Sequence, residues 1–214
     1  MAAAAVEPVA RRYLALGDSY TIGEGVEPDA AWPAQLARRL RATGIAIAAP
    51  DIIAATGWTT DELAAAIDRA APAPDYALAT LLIGVNNQYR GRALDNYRDE
   101  FTGLLARAIG FAGARAERVV VVSIPDWGVT RFAHGQGRDP ARTAAEIDAF
   151  NAAATRIARE AGAAAVDVTG ISREAGDAAA MLVDDGLHPS AAQYALWADA
   201  ILEPARRALG LAAT

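Results

Sequence analysis

The chain has 214 residues, of which 53% are hydrophobic, and this is enough for one domain with a sizeable buried core. A formal net charge of −6 argues against a nucleic-acid partner, because binding to phosphates needs a clustered basic surface. The sequence contains neither cysteine nor lysine, which excludes disulfides, thiol and lysine nucleophiles, and cysteine-ligated metals.

The first residues do not have the pattern of a targeting signal. They are rich in alanine, but Glu7 and Pro8 interrupt the apolar run and no basic segment precedes it. No stretch approaches the roughly 18 uncharged apolar residues that a membrane-spanning helix needs. We therefore expect a cytoplasmic protein without a membrane span, with a flexible segment at residues 1–10. No linker divides the remainder, so residues 11–214 are expected to form a single domain.

Apolar runs typical of buried strands alternate along the chain with amphipathic stretches typical of helices. The predicted strands are residues 13–16, 45–48 (with an extension toward 53), 76–83, 118–124 and 163–168. The predicted helices are residues 32–42, 60–70, 93–109, 141–161 and 191–209. Parallel strands joined by helices need right-handed crossovers, with helices covering both faces of the sheet. The sequence therefore predicts an α/β protein, a three-layer α/β/α sandwich around a five-stranded parallel sheet.

Polar residues follow the predicted strands, at the edge of the sheet where open parallel sheets bind their ligands. These segments are Asp18-Ser19, Thr56-Gly57-Trp58, Gly84-Val85-Asn86-Asn87, Pro125-Asp126-Trp127 and, before the last helix, Asp185 to His188. The stretch 126–139 is predicted to be the longest loop, and loops of that length often carry function. We expect these segments to meet at one edge of the sheet.

Ser19 is the candidate nucleophile, on a turn directly after the first strand. A free hydroxyl is a weak nucleophile, so a base must be able to take its proton. His188 can supply that base, and Asp185 lies three residues before it, a spacing that lets the carboxylate fold back onto the imidazole. Asp184 is the competing carboxylate, and we favour Asp185 because only it has this spacing.

A tetrahedral intermediate of ester hydrolysis needs hydrogen-bond donors aimed at its oxyanion. The candidate donors are the backbone N–H groups of Ser19 and Gly57 and the side-chain amide of Asn86. Asn87 is the alternative amide, and whichever of the two does not face the oxyanion is expected to stabilise the turn. Gly57 has an alternative role too, since a positive φ angle alone can require glycine.

Together these blocks resemble the SGNH, or GDSL-type, hydrolase family. The matching segments are Gly17-Asp18-Ser19-Tyr20, Gly57, Gly84-Val85-Asn86-Asn87 and Asp185-Gly186-Leu187-His188, and the resemblance spans residues 13 to about 197. It implies a flavodoxin-like sandwich in which Ser19 is nucleophile and oxyanion donor, Gly57 and Asn86 complete the oxyanion hole, His188 is the general base, and Asp185 orients it. The family's third block more often ends in Asp, so we expect Asn87 to change the hydrogen bonds that hold this loop.

Four large apolar side chains adjoin these blocks and either line a substrate pocket or pack in the core: Trp58, Tyr89, Trp127 and Leu187. Asp18 is expected to be structural, bonding neighbouring loops. His134 is interpreted as a solvated loop residue, because nothing near it in the sequence forms a metal-ligand set. We therefore predict no metal site and no cofactor.

The expected function is a serine hydrolase that cleaves carboxylic esters of small molecules through an acyl-enzyme on Ser19. A lysophospholipase, a thioesterase or a carbohydrate deacetylase with the same triad stays open as an alternative. A non-catalytic flavodoxin-like binding module is a remote alternative, because the chain has no lysine and the turn after the first strand is too short and acidic to cradle phosphate. The sequence favours no particular oligomeric state.

Overall fold

Five parallel strands form one sheet, in the order β2-β1-β3-β4-β5. The computed structural model describes residues 9–211 of the chain. The strands are β1 (Tyr13–Asp18), β2 (Asp51–Ala55), β3 (Leu78–Leu82), β4 (Val119–Val122) and β5 (Ala164–Val166). This confirms the predicted α/β class and the five-stranded parallel sheet.

Helices cover both faces of the sheet, which gives the predicted three layers. The helices are α1 (Ser19–Ile22), α2 (Trp32–Ala42), α3 (Thr60–Ala70), α4 (Val85–Tyr89), α5 (Leu94–Phe111), α6 (Arg131–Gly135), α7 (Pro140–Glu160), α8 (Thr169–Ala175) and α9 (Ala191–Ala208). Helices α2, α8 and α9 pack together on one face, and α3, α5 and α7 pack on the other. Helices α2 and α3 begin and end at the predicted residues.

The three central strands end at one level and point their carboxyl ends at the same edge. Strands β1, β3 and β4 are buried at every residue, as strands covered on both faces must be. In β1, Gly17 pairs with Ala54 of β2 and with Leu82 of β3. The segments that follow β1, β2 and β3 therefore emerge side by side.

The second strand does not lie where the apolar run predicts it. Residues 45–48 form no strand, and Ile47 makes only an isolated bridge with Arg11. The strand β2 begins after Pro50, and its first residues, Asp51 and Ile52, are exposed because β2 is at the edge of the sheet. Ile45 and Ile47 are apolar because they pack into the core from a connecting segment. The expectation for residues 45–48 was wrong, and only its extension toward residue 53 reached the strand.

The stretch 126–139 is not one long loop. It contains a 3₁₀ turn at Trp127–Val129 and then α6. Asp126 accepts a hydrogen bond from the backbone N–H of Gly128, and the Thr130 hydroxyl accepts one from the N–H of Ala133. These two caps shape the segment, and the prediction of a continuous loop missed them.

Two expectations remain, one for the first ten residues and one for membrane-spanning helices. The predicted flexible segment at residues 1–10 falls mostly outside them, because the description begins at residue 9. Among residues 9–211, no helix has the length and apolar character needed to cross a membrane.

Candidate active site

Ser19 is the first residue of α1, directly beyond the carboxyl end of β1. Gly17 is required before it, since a Cβ there would lie 2.0 Å from the Thr21 hydroxyl and 2.5 Å from the Leu82 carbonyl oxygen. Asp18 caps α1, because its Oδ1 accepts a hydrogen bond from the N–H of Tyr20 at 3.0 Å. The Gly-Asp-Ser sequence thus makes a tight strand-to-helix turn with the serine at its corner.

The three residues predicted as nucleophile, base and orienting acid lie in one chain of contacts. His188 Nε2 is 3.0 Å from Ser19 Oγ, and His188 Nδ1 is 2.6 Å from Asp185 Oδ2. His188 is 8% exposed and Ser19 4% exposed, so little water competes for the contact between them. No contact of Asp184 with the imidazole is present in the structure's hydrogen bonds, which favours Asp185 as the partner.

The turn that carries Asp185 presents its carboxylate to several donors at once. Asp185 Oδ1 accepts from the backbone N–H groups of Leu187 at 2.8 Å and of His188 at 3.0 Å. Partial burial alone would raise the pKa of Asp185, but the hydrogen bonds from the His188 side chain and from the two N–H groups outweigh it and lower that pKa. The carboxylate therefore stays ionised, and it accepts a hydrogen bond from the Nδ1–H tautomer of His188, whose Nε2 is then free to take a proton.

Tyr20 supports the imidazole from the side, a contact that the sequence analysis missed. Its ring centroid lies 5.3 Å from that of His188, and Trp197 of α9 lies behind it at 6.1 Å. Tyr20 is 3% exposed, so the two aromatic rings form a rigid wall against the base. Its position directly after Ser19 was the one signal available in the sequence.

Gly57 and Asn86 come from the segments that follow β2 and β3. Gly57 has a φ of +81°, a conformation that favours glycine. Asn86 Nδ2 donates to the Trp58 carbonyl at 2.9 Å, which fixes the amide and leaves its second N–H for a ligand. Both residues line the same cleft as Ser19 and His188.

This cleft has a cavity volume of about 180 Å³ and its walls are mostly apolar. Three of the four predicted pocket residues line it, namely Tyr89, Trp127 and Leu187. Trp58 does not: it packs against the core, and only its carbonyl reaches the site. Four further residues line the cleft and were not predicted as pocket residues: Tyr20, Thr56, Val85 and Phe132. Three of these adjoin a motif residue, whereas Phe132 lies in the stretch that was interpreted as a loop.

Asp18 and His134 have the surroundings of structural and solvated residues, respectively. Asp18 is fully buried, and burial raises its pKa to about 7. Its hydrogen bond is with the Tyr20 N–H of its own turn, so the expected bonds to neighbouring loops are not found among the hydrogen bonds of the described part of the chain. His134 is exposed on α6. Within residues 9–211, no group of three or more potential metal ligands is clustered.

The comparison with protein families identifies the family to which the chain belongs. The model of the GDSL-like lipase/acylhydrolase family matches residues 15–196. The chain belongs to this family. Its membership confirms the resemblance drawn from the four sequence blocks, and it makes the protein an acylhydrolase.

Solved structures of GDSL-type and related hydrolases have the same fold at low sequence identity. TesA is 19% identical with a TM-score of 0.70, covering 92% of this chain and 99% of TesA. A lipase/acylhydrolase from Enterococcus faecalis is 19% identical with a TM-score of 0.68, covering 94% and 96%. The psychrotrophic esterase EstA from Pseudoalteromonas sp., in a form inhibited by monoethylphosphonate, is 17% identical with a TM-score of 0.67, covering 94% and 99%. No curated protein matches the sequence.

Asn87, where a changed set of hydrogen bonds was expected, holds its loop through contacts with Thr60. Asn87 is fully buried; its Oδ1 accepts from the N–H of Thr60 at 3.1 Å, and its Nδ2 donates to the Thr60 hydroxyl at 2.6 Å. The Thr60 hydroxyl in turn donates to the carboxylate of Glu100. Because that proton is already committed to Glu100, the third block needs a donor here, and an amide supplies one whereas a carboxylate does not.

Proposed function

We propose that this protein is a carboxylic ester hydrolase that works through an acyl-enzyme on Ser19. The observation that carries the proposal is the contact chain from Asp185 to His188 to Ser19, at 2.6 Å and 3.0 Å. A hydroxyl, an imidazole and a carboxylate in this order form a proton-transfer path that activates a serine at neutral pH.

In the first half of the reaction, Ser19 Oγ attacks the carbonyl carbon of the ester as His188 Nε2 takes the hydroxyl proton. The carbonyl oxygen becomes an oxyanion. When the tetrahedral intermediate collapses, the bond to the alcohol oxygen breaks, and the imidazolium returns the proton to that oxygen. The ionised Asp185 stabilises the imidazolium while it exists.

In the second half, a water molecule replaces the alcohol. His188 Nε2 takes one proton from the water as its oxygen attacks the acyl carbon, and a second tetrahedral oxyanion forms. Collapse breaks the bond to Ser19 Oγ, the proton returns to that oxygen, and a carboxylic acid leaves. The same three groups therefore act in both steps, and in each step His188 first takes a proton as a base and then returns it as an acid.

The oxyanion of both intermediates is proposed to lie against the N–H groups of Ser19 and Gly57 and the amide of Asn86. The support is that these residues line one cleft, that Asn86 has one N–H left after its bond to Trp58, and that glycine at position 57 leaves the backbone open to a ligand. Each such donor is typically worth a factor of about 10² to 10³ in kcat.

The walls of the cleft favour an apolar group on the substrate. Tyr89, Trp127, Phe132 and Leu187 line it beside the nucleophile, and most of its lining surface is apolar. We infer a small-molecule ester with a short to medium apolar acyl chain. A lysophospholipid, a thioester or an acetylated sugar would use the same triad, and relative turnover of these substrate classes separates them.

The test compares variants on nitrophenyl esters of increasing acyl length, on lysophospholipids, on acyl thioesters and on acetylated sugars. Ser19→Ala and His188→Ala should each lose at least about 10³-fold in kcat. His134→Ala is the matched control, because His134 is the exposed second histidine and should leave turnover unchanged. Circular dichroism checks that each variant is folded. Turnover by Ser19→Ala at the rate of the unmodified protein would overturn the proposal.

A further inference from the structure

Arg90 contacts the proposed oxyanion site, although it belongs to none of the four sequence blocks. It is the C-cap residue that follows α4, and its Nη2 donates to the Gly57 carbonyl at 2.6 Å. Its Nη1 lies 3.5 Å from Glu62 Oε2. A guanidinium thus joins the segment that carries Asn86 to the peptide that carries Gly57.

The α4 segment holds the 57–60 segment at three successive points. Arg90 binds the Gly57 carbonyl, Asn86 Nδ2 donates to the Trp58 carbonyl at 2.9 Å, and Asn87 bonds with Thr60 at 2.6 Å and 3.1 Å. These bonds set the position of the Gly57 N–H relative to the Asn86 amide, which are two of the three candidate oxyanion donors.

Few side chains pack against Gly57, although a hydrogen bond from the Trp58 N–H to the Ala55 carbonyl, at 3.3 Å, closes the turn that contains it. A Cβ at this position would have one neighbour among the described side chains and backbone within 4 Å, and that neighbour is Arg90 Nη2 at 3.7 Å. Glycine at φ +81° is also the residue with the widest backbone freedom. The hydrogen bond from Arg90 therefore restrains the carbonyl of a residue that few side chains contact.

The other end of this link is fixed by the first turn of α3. Glu62 Oε2 accepts from the N–H and the hydroxyl of Thr59, both at 2.8 Å, in a capping box. These hydrogen bonds hold the pKa of Glu62 below its ordinary value, so Glu62 stays charged as an anchor for Arg90. The Arg90 and Glu62 side chains are 43% and 42% exposed. Ion pairs this exposed contribute little to stability.

We propose that Arg90 is a positioning residue for the oxyanion hole, an inference that rests on the proposed esterase function. Arg90 reaches the reacting atoms only through Gly57: it holds the Gly57 carbonyl, which lies across the Cα from the N–H donor, and so restrains this residue relative to Asn86. Its loss displaces an oxyanion donor by a fraction of an ångström and leaves the cleft walls and the triad intact. Displacements of that order at a catalytic site lower rates strongly while binding changes little.

The experiment compares Arg90→Ala with Arg92→Ala. Arg92 is the matched control: it lies two residues away and pairs with Asp61 of the same α3 turn at 2.6 Å, but it makes no contact with Gly57. Arg90→Ala should lower kcat about tenfold or more with KM changed less than about twofold, whereas Arg92→Ala should stay within twofold in both. Melting temperatures of both variants should match that of the unmodified protein.

Chemical rescue separates positioning from a general structural effect. Since the Arg90 side chain is 43% exposed, its removal opens a site that a free guanidinium ion can enter from solvent. Millimolar guanidinium chloride should raise kcat of Arg90→Ala severalfold, and sodium chloride at equal ionic strength should not. Affinity for an alkylboronic acid, which mimics the tetrahedral intermediate, should fall in Arg90→Ala by the same factor as kcat/KM.

Two results would overturn the inference. One is a kcat of Arg90→Ala equal to that of Arg92→Ala. The other is a loss of activity that appears only in KM, or one that accompanies a lower melting temperature which Arg90→Lys does not restore. Either result leaves the esterase proposal standing, since that proposal depends on turnover by the unmodified protein and its loss in Ser19→Ala.

Discussion

Replacing Asn87 by Asp would give this chain the residue that the third block more often has, and we expect the replacement to destabilise it. In the present structure Asn87 Nδ2 donates to the Thr60 hydroxyl at 2.6 Å, and that hydroxyl donates its one proton to Glu100. An aspartate has no proton to donate at neutral pH. Two carboxylates would then compete for the single hydroxyl proton.

The expected magnitude follows from the burial of this contact. Asn87 and Thr60 are both fully buried, so the acceptor that loses the competition is cut off from water. A buried polar group left without its partner costs about 1–3 kcal/mol, and the remaining bond from the Thr60 N–H offsets part of the charge. We therefore expect Asn87→Asp to lower the free energy of unfolding by about 2 kcal/mol. In a domain of this size that is a fall in Tm of roughly 4–8 °C.

Urea denaturation and calorimetry of Asn87→Asp, Glu100→Gln and the double variant give the required comparison. Glu100→Gln should recover at least half of the loss, because a glutamine amide can donate to the Thr60 hydroxyl and release its proton for Asp at position 87. The loss should also shrink near about pH 4, where a protonated carboxyl becomes a donor. Asn87→Asp with unchanged or increased stability at pH 7 would refute this account of the third block.

Three further variants test other parts of the site. Burial raises the pKa of Asp18 to about 7, so its carboxyl makes folding less favourable as pH rises from about 4 to 7. Asp18→Asn should therefore be more stable than the unmodified protein at pH 8, by up to about 4 kcal/mol. This gain in stability should vanish near about pH 4. Asp185→Asn places an amide N–H against His188 Nδ1, favours the wrong tautomer, and should lower kcat about 10⁴-fold. Asn86→Ala should lower kcat about 10²- to 10³-fold with little change in KM.

Each of these variants has a contrary outcome. For Asp18→Asn, the contrary outcome is that urea denaturation gives the same difference in free energy of unfolding from the unmodified protein at both pH values. For Asp185→Asn, steady-state kinetics would have to show a kcat within tenfold of the original value. For Asn86→Ala, a rise in KM at constant kcat would assign the amide to ground-state binding in place of the oxyanion.

Much of the site could be predicted because its chemistry is concentrated in short segments at strand ends. Ser19 and His188 are 169 positions apart. Ser19 directly follows a strand and is placed by the rule that the carboxyl ends of parallel strands form one edge, whereas His188 lies in the segment before α9. Asp185 was identifiable because its partner is three residues away and local geometry alone allows the contact. The parallel sheet followed from the alternation of apolar runs with helices.

The remainder depended on tertiary contacts that leave no local pattern. Ile45 and Ile47 are apolar because a connecting segment packs into the core, and the same composition is typical of a strand. Whether Trp58 faced the cleft or the core depended on the orientation of one turn. Arg90 and Tyr20 act through Gly57 and His188, and no rule of spacing connects an exposed arginine with the carbonyl it holds.

The most direct test of the central claim is to find the acyl group on the enzyme. The protein is mixed with excess nitrophenyl butyrate, quenched in acid within the first turnover, digested, and examined by mass spectrometry. We predict a butyryl adduct on the peptide that contains Ser19, formed together with a burst of nitrophenol equal to the enzyme concentration. Turnover of the ester with no adduct, or with an adduct on another residue, would contradict the account.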